Sequence, residues 1–447
     1  MNASRSIQKS MIACLSLFSL MFAFSTVRTP QADGQVRYRT FLDMFSGEAA
    51  EFSKYSNVQP FLAKMVDILA RTIYSGLPEQ AIPRYFELSL VLASSIAFLI
   101  VDKDWRRPAL VGALLPLSML SHYLGQFYAE ITSSTLMALG FLLFHRSRGP
   151  TGLMIGALVG ALGIANTYVL MGPLCAVVVL AAWRQWRGHD EDARLLQFLL
   201  ATLAIAVTAV MVDLLVKGQL FDNPYAGPGE NGFRTILPYS GRPGFSYPVL
   251  LGLISNIFSF GKSIFLFNPF LILLFVRDYK YKSYALTFLI SALLLYSTWW
   301  SWYGGFSFGT RFYIFAIIPS VIVFVDGLLK PARDARFRHL EPVVLLWAIW
   351  LATCGKYFAQ DGIAPICVAN DYALEAFCWY VPEFSPLIHP VVSHGFLGAL
   401  SHVYWLDYIY FAAALLTVSA FWAFRFDGFA RHAPISQVEG GRRAQDD

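Results

Sequence analysis

The first acid with the position of a catalytic group is Asp33, in the stretch PQADGQVRYRTFLDMFSGE at 30–48. It lies shortly after an apolar run, and therefore at a membrane surface if that run crosses a bilayer. A carboxylate in such a place can act as a general base that removes the proton of a hydroxyl group. The alternative is that Asp33 only begins a turn or caps a helix, because Asp-Gly is a common turn dipeptide.

The matching cation is Arg311, at the end of STWWSWYGGFSFGTR (297–311), where another apolar run begins. The dipole opposes a cation at a helix N-terminus, so this arginine needs a further reason to be there. Gly304, Gly305 and Gly309 allow a close backbone approach, and a guanidinium fork suits a phosphate diester. The aromatic residues around it fit an interfacial belt, which is the simpler explanation for them.

Two lysines supply weaker signals of the same kind. Lys54 and Tyr55, in FSKYSNVQP (52–60), and Lys262, in SFGKSIFLFNPF (259–270), have side chains that can bind a phosphate. Each also has an ordinary explanation, since Lys54 and Tyr55 can simply be solvated and lysines at span ends commonly extend to the interface.

A second acid, Glu130 in SHYLGQFYAEITSS (121–134), stands at the start of an apolar run. Acids at membrane depth are costly and usually face a polar cavity or a partner. A helix dipole also favours an acid at this position, so both interpretations stay open. The sequence has no nucleotide-binding loop, HExxH, GxSxG or dinucleotide fingerprint. This disfavours a nucleotide-driven pump and means that any activated substrate arrives in the membrane.

The elements that position these residues are membrane helices. The 447 residues are 56% hydrophobic and 14% charged, against about 25% charge in soluble domains. Apolar runs of roughly 17–25 residues recur and can each cross a bilayer. We predict an all-α polytopic bundle of about twelve spans (range about 10–13), at 10–27, 86–101, 108–121, 126–144, 152–165, 168–182, 195–216, 262–276, 283–300, 312–329, 340–354 and 405–424. The first run can alternatively be a signal peptide cleaved after Ala23-Phe24-Ser25.

The distribution of lysine and arginine predicts the orientation. Most of the 34 basic residues fall in one set of loops, which we assign to the cytoplasm: 1–9, 102–107, 145–151, 183–194, 277–282, 330–339 and 425–447. Both termini are then inside, with 425–447 as a tail of the single domain 1–447. This scatter through short loops does not indicate a nucleic acid partner, despite the net charge of +5.

The opposite side carries the long loops 28–85, 217–261 and 355–404, and loops of this length are usually functional. Within the first, 61–74 has apolar residues near helical spacing and is expected to lie along the membrane surface. Cys367 and Cys378 both fall in the last outer loop, where an oxidising compartment would permit a disulfide. The sequence leaves their pairing open.

These stretches together resemble the integral-membrane glycosyltransferases of the C type (GT-C). The resemblance is closest to the bacterial branch akin to protein O-mannosyltransferases and lipid A aminoarabinose transferases. It covers most of the chain and is carried by Asp33 with Tyr38, KYSNVQP, FYAE, FGKSIFLFNP and the box WSWYGGFSFGTRF at 300–312, which is the most specific. Many of these enzymes show Asp-Glu or Asp-Asp in the first loop, whereas Asp33 is followed by Gly34.

The resemblance implies a polyprenyl-phosphate sugar as donor, a hydroxyl on a glycan, lipid or protein as acceptor, and a periplasmic site in a bacterial inner membrane. It implies Asp33 as the base and no required cofactor, although some relatives use a divalent metal and Asp33 with Glu130 could bind one. The implied substrate and phosphate contacts are Arg311, Lys262, Lys54, Tyr38, Tyr55, Glu130, Arg37 and Gly305.

Two other functions stay open at this stage. A lipid or glycolipid flippase would show paired inverted repeats and helices broken near mid-bilayer, for which the short pair 152–165 and 168–182 is a slight, unrepeated hint. An inactive GT-C relative that serves as a scaffold would fit the missing second acid after Asp33. The acids and bases gather at one surface, which suits surface chemistry better than a path across the membrane.

Overall fold

The computed structural model describes residues 2–25, 28–44, 55–102, 104–147, 149–189, 192–219, 244–305, 307–329, 339–359 and 364–430. This part of the chain is helical and contains no β-strand, which confirms the all-α prediction. Its α-helices are α1 (Asn2–Ser25), α2 (Asp33–Asp43), α3 (Val58–Ile73), α4 (Ile82–Val101), α5 (Arg106–Leu114), α6 (Leu120–Tyr123), α7 (Ala129–Arg146), α8 (Pro150–Asn166), α9 (Met171–Trp186), α10 (Ala193–Val216), α11 (Val249–Phe258), α12 (Ile272–Val276), α13 (Lys282–Ser297), α14 (Ile317–Leu329), α15 (Leu340–Thr353), α16 (Ala364–Cys367), α17 (Ala369–Tyr372), α18 (Glu375–Tyr380), α19 (His389–Ser401) and α20 (Trp405–Ala430).

Several helices have the length and apolar character that a bilayer requires. Within the described ranges, six segments qualify fully: Ile7–Ser25, Glu79–Val101, Tyr168–Trp186, Ala193–Val216, Arg311–Leu329 and Trp405–Trp422. Shorter apolar helices are Pro150–Asn166, Val249–Phe258 and Lys282–Ser297. The chain is thus a polytopic membrane protein, while the count of twelve crossings stays a prediction.

The predicted span 108–121 is broken rather than continuous. Helix α5 ends at Leu114, and a 3-10 turn over Leu115–Leu117 separates it from α6. Pro116 lies in that turn, and proline removes an amide donor and clashes with the preceding helical turn. A hydropathy window registers only the apolar residues and therefore joins the two pieces.

The predicted span 262–276 is also not one helix. Residues 259–268 are turns, followed by a 3-10 turn over Pro269–Leu271 and then the short α12. Asn268 adopts φ −140° and ψ 76°, which is outside the helical region, and the proline that follows disfavours a helical conformation there. This segment therefore brings Lys262 into the bundle on an irregular backbone.

The contacts of Lys262 and Arg277 distinguish the two ends of the bundle. Lys262 contacts the glycine-rich loop (residues 303–310), which precedes Arg311, and we call this the Arg311 end. At the other end of the same segment, Arg277 pairs with the buried Glu341 at 2.5 Å. We call this the Arg277 end; the sequence assigns it to the cytoplasm.

The first long loop contains two helices, α2 and α3, and the second of them includes the predicted amphipathic stretch. The amphipathic stretch 61–74 forms most of α3, whose outward side exposes Phe61, Met65, Ile68 and Leu69. Phe41 of α2 is buried in a small apolar cluster with residues of α3 and α4. This packing fixes the direction of α2 and so the position of its first residue, Asp33.

The last long loop is closed by a disulfide between Cys367 and Cys378, so the pairing that the sequence left open does form. The bond ties α16 to α18. Trp379, next to it on α18, stacks on Tyr303 of the glycine-rich loop with ring centroids 3.7 Å apart. The disulfide thus stabilises the support of that loop.

Replacing both cysteines with serine is expected to lower the free energy of unfolding of this region by about 2–4 kcal/mol, the usual range for a native disulfide. The midpoint of thermal unfolding should fall, and an aqueous quencher should reach Trp379 and reduce tryptophan fluorescence. Cys175→Ser, at an exposed free cysteine, is the control. Unchanged unfolding and quenching would show that packing alone holds α18.

Candidate active site

Arg311 is the centre of an ion-pair cluster at the Arg311 end of the bundle. It opens a 3-10 turn, Arg311–Ala316, that leads into α14, and it is 6% exposed. Its Nη2 donates to Oδ2 of Asp33, the first residue of α2. Its Nε lies 3.9 Å from Oε1 of Glu130, in the first turn of α7. Three side chains that the sequence singled out separately therefore meet in one place.

Aromatic rings hold the guanidinium of Arg311 in its orientation. The guanidinium carbon lies 4.3 Å from the ring centroid of Tyr128 and 5.4 Å from that of Phe312. Cations are attracted to the faces of aromatic rings, and the attraction grows when water is excluded. Tyr128 is 3% exposed, so the rings also keep solvent from the ion pairs.

Asp33 uses its two carboxylate oxygens for different partners. Oδ1 accepts a hydrogen bond of 2.6 Å from the Tyr55 hydroxyl, and Oδ2 accepts from Arg311. One third of the Asp33 side chain is exposed, against 11% of Glu130. Asp33 is therefore the more accessible of the two acids and can meet a substrate.

The nitrogen Nε of Arg311 is a buried donor without a hydrogen-bond acceptor among the described residues. Its separation of 3.9 Å from Glu130 is too long for a hydrogen bond. Leaving a buried donor unsatisfied typically costs about 1–3 kcal/mol. The guanidinium thus has an N–H available for an oxygen atom of a ligand.

Gly34 explains why no second acid follows Asp33. A Cβ atom at position 34 would lie 1.9 Å from the carbonyl oxygen of Gln126, so α2 touches the backbone before α7. A glutamate or aspartate cannot fit there. A second carboxylate does lie near Arg311, and it is that of Glu130, from another helix.

We expect Gly34→Ala to separate α2 from Gln126 and to move Asp33 away from Arg311. Overpacking of this kind usually costs about 1–3 kcal/mol. The effect should be seen as a lower thermal midpoint and as a loss of the activity proposed below. Gly149→Ala serves as control, because a Cβ there meets nothing within 4 Å. Wild-type behaviour of Gly34→Ala would contradict the close contact.

Lys262 binds the glycine-rich loop through hydrogen bonds to its backbone. Its ammonium donates to the backbone carbonyls of Gly305 (2.8 Å), Ser307 (2.7 Å) and Gly309 (3.2 Å), and the residue is 3% exposed. Gly309 has φ +70°, and a Cβ there would lie 2.4 Å from the Phe267 ring, so only glycine fits. In this arrangement Lys262 stabilises the loop that presents Arg311.

A further ionisable group in this part of the protein is the carboxyl group of Glu375. Glu375 of α18 is fully buried, and burial raises the pKa of its carboxyl group. The positive charge of Lys262 acts in the opposite direction and lowers that pKa. The contact by which the last long loop supports the glycine-rich loop is the stacking of Trp379 on Tyr303.

The remaining predicted residues occupy different positions. Arg37 stacks on Tyr55 at 5.0 Å and donates to the Ser56 carbonyl at 3.1 Å, so it supports Tyr55. Tyr38 packs against Phe41 with centroids 5.7 Å apart, and burial, followed by the charges of Glu79 and Asp67, raises its pKa. The structure does not bring Tyr38 to Arg311.

Two predicted residues remain. Gly305 has φ +76° and its carbonyl accepts a hydrogen bond from Lys262. Lys54 lies outside the described residues.

The arrangement can be compared with solved structures. Two solved structures that are similar to this chain are both of one protein, ArnT. ArnT from Cupriavidus metallidurans bound to undecaprenyl phosphate is 14% identical, with a TM-score of 0.48, over 93% of this chain and 75% of the ArnT chain. The same protein in the apo state is 13% identical, with a TM-score of 0.48, over 95% and 78%. No family of known proteins matches the sequence, and no characterised protein matches it.

The sequence did not indicate several residues that shape this site. Glu87 of α4 is fully buried, and its Oε2 accepts from the Gly125 amide at 2.6 Å, which fixes the turn before α7. Within that turn Phe127 adopts φ +61°, a costly conformation for a bulky residue. The signal that could have identified Glu87 is an acid inside an apolar span.

In the described ranges, His, Cys, Asp and Glu form no group of three or more that is suited to a metal.

Proposed function

We propose that the protein is a membrane glycosyltransferase that moves a sugar from a polyprenyl phosphate to an acceptor hydroxyl. The reaction would take place at the Arg311 end, on the periplasmic face of a bacterial inner membrane, with both termini in the cytoplasm. The observation that carries the proposal is the buried guanidinium of Arg311 with an unsatisfied Nε–H, directly beside an accessible carboxylate.

Arg311 suits the phosphate of such a donor. A guanidinium presents several N–H donors in one plane and binds phosphate oxygens in pairs. Its surroundings are apolar and aromatic, so the attraction is weakened less by water than at an exposed site. A donor phosphate would take the free Nε–H and compete with Asp33 for the remaining donors.

Asp33 suits the role of general base. When phosphate engages Arg311, Oδ2 of Asp33 is released, while the Tyr55 hydroxyl still orients the carboxylate through Oδ1. The acceptor hydroxyl then gives its proton to Asp33 as its oxygen forms a bond to the anomeric carbon. The bond from that carbon to the phosphate oxygen breaks, its electrons remain on the phosphate, and the anomeric configuration inverts. Arg311 stabilises the negative charge of the departing polyprenyl phosphate.

The other predicted residues take supporting roles in this proposal. Glu130 holds Arg311 and contacts sugar or acceptor, Arg37 supports Tyr55, and Lys262 acts on the phosphate through the loop that it shapes. Lys54, Tyr38 and Gly305 remain predicted substrate contacts. The long loops 28–85, 217–261 and 355–404 would supply the acceptor specificity from the periplasmic side. If the reaction uses a divalent metal, Asp33 and Glu130 would be the residues to hold it.

The test is a transfer assay with the purified full chain in liposomes. Polar lipids extracted from native membranes supply donors, and released polyprenyl phosphate is measured by mass spectrometry with and without candidate acceptors. Undecaprenyl phosphate, the ligand in one ArnT structure, serves as a binding probe. We expect acceptor-dependent release. Binding of the probe without release for any acceptor mixture would favour lipid transport or a scaffold role and would reject the proposal.

A further inference from the structure

A segment of irregular backbone carries Tyr55 to Asp33, and buried side chains hold almost every residue of that segment. We call residues 55–59 the Tyr55 segment. It follows the part of the first loop outside the described residues and ends in the first two residues of helix α3. Residues 55–57 precede the helix, and the first amides of a helix have no partner within it, so these polar backbone groups need other partners.

Two of these partners belong to the end of α10. The ammonium of Lys217 donates to the Tyr55 carbonyl and, at 2.8 Å, to Oδ2 of Asp213. Oδ1 of Asp213 accepts from the Asn57 amide at 3.4 Å, and the Tyr168 hydroxyl donates to Oδ2. The Lys217 side chain is 0% exposed and that of Asp213 is 9% exposed.

Two more side chains bind backbone groups of the Tyr55 segment. Asn166, at the end of α8, accepts from the Gln59 amide at 3.1 Å and donates to the Ala129 carbonyl at 3.0 Å, which joins the Tyr55 segment to the start of α7. Arg37 donates to the Ser56 carbonyl. The Tyr55 segment is thus fixed to the helices that carry Asp33 and Glu130.

Stability alone does not require charges at the end of α10. A buried ion pair loses much of its attraction to the cost of desolvation, and apolar residues of similar volume often stabilise a protein equally well or better. What the charges provide is a defined geometry, because a carboxylate and an ammonium fix the directions of the backbone groups that they bind.

We propose that Asp213 and Lys217 are positioning residues for the active site. They hold the Tyr55 segment so that the Tyr55 hydroxyl donates to Asp33 and leaves the other carboxylate oxygen directed at Arg311. Neither residue contacts the reacting atoms. This inference rests on the proposed transfer activity for its kinetic consequence, but the geometry of Tyr55 can be tested without that activity.

The direct test replaces Tyr55 with 3-fluorotyrosine and records fluorine NMR of the purified chain. In the wild-type background we expect one signal, shifted from the free amino acid, because the phenol has a single hydrogen-bonded environment. In Asp213→Leu with Lys217→Met, we expect the signal to move towards the free value or to split. The double change avoids leaving an unpaired buried charge, so the chain should fold. An unchanged signal would overturn the proposal.

The kinetic test is a double-mutant cycle. The Asp213→Leu, Lys217→Met pair should reduce transfer about tenfold in the wild-type background and have little effect once Tyr55→Phe has removed the hydroxyl. Additive losses would indicate a merely structural role and reject the proposal. If wild type transfers nothing but the fluorine signal responds, the proposed function fails while the positioning stands.

A matched control comes from the same end of the bundle. Lys356 pairs with Asp407 at 2.5 Å and, like Lys217, is largely buried, but it contacts α1 and α20 rather than the Tyr55 segment. Asp407→Leu with Lys356→Met therefore makes the same chemical change elsewhere. The fluorine signal at position 55 should not respond to it. An equal response to both pairs would show a general loosening of the bundle and would overturn the specific role of Asp213 and Lys217.

Discussion

Replacing Asp33 with asparagine is expected to reduce the rate of polyprenyl phosphate release about 10²–10⁴-fold, the usual contribution of a general base. Asparagine has nearly the same shape and its amide oxygen can still accept the Tyr55 hydrogen bond, but it cannot take a proton. Binding of undecaprenyl phosphate should be retained or strengthened, because a neutral residue competes less with phosphate for Arg311. Mass spectrometry of the released lipid and a separate binding titration measure the two effects.

The matched control is Glu341→Gln, which neutralises another carboxylate that is paired with an arginine, at the Arg277 end. It tests whether loss of such an ion pair lowers activity only because the protein becomes less stable. A similar loss in both variants would remove the argument for Asp33 as the base. Retention of most activity by Asp33→Asn would exclude that role directly and favour a base supplied by the substrate or by Glu130.

Replacing Arg311 with lysine is expected to weaken transfer about 10²-fold although the charge is kept. Removal of one stabilising donor commonly costs about 10²–10³-fold in rate. An ammonium cannot reach Asp33 and Glu130 together while presenting a spare N–H to phosphate, and it loses the planar contact with Tyr128. Affinity for undecaprenyl phosphate should fall with the rate. Arg311→Ala should be worse, because it leaves two carboxylates facing each other without a cation.

Arg277→Lys is the control for this prediction, since Arg277 is the partner of a buried glutamate away from the site. It should leave lipid affinity unchanged. An equal loss of lipid affinity in both variants would mean that the loss comes from lower stability of the bundle. Full activity of Arg311→Lys would show that a point charge is sufficient and that the fork geometry of the guanidinium has no role.

The three charged residues of the candidate site stand out in the sequence because a membrane restricts where charges occur. Asp33, Glu130 and Arg311 each stand at the boundary of an apolar run, where an ionisable group needs a specific reason. The orientation rule then places all of them on one face. Sequence position alone cannot give their contacts, since Asp33 and Arg311 are 278 residues apart.

The residues that hold the site were less visible because each acts through the backbone of another segment. Lys262 was expected to contact a phosphate, yet its ammonium faces the carbonyls of the glycine-rich loop. Asp213 lies within the predicted span 195–216 and Lys217 directly follows it, and nothing in their spacing identifies the Tyr55 segment as their partner. The broken segments at Pro116 and Pro269 were missed because hydropathy averages over the residues that interrupt a helix.

The contact between Gly34 and the Gln126 carbonyl has a consequence for how relatives of this chain can be recognised. Where two acids stand side by side in a first loop, a short sequence pattern captures both at once. Here the second carboxylate comes from a distant position, and the neighbour of the first acid has to be the smallest residue. A pattern written for adjacent acids would pass over this chain. One that combines Asp-Gly, an acid following an aromatic pair and the late glycine-rich arginine box would select sequences able to build the same geometry.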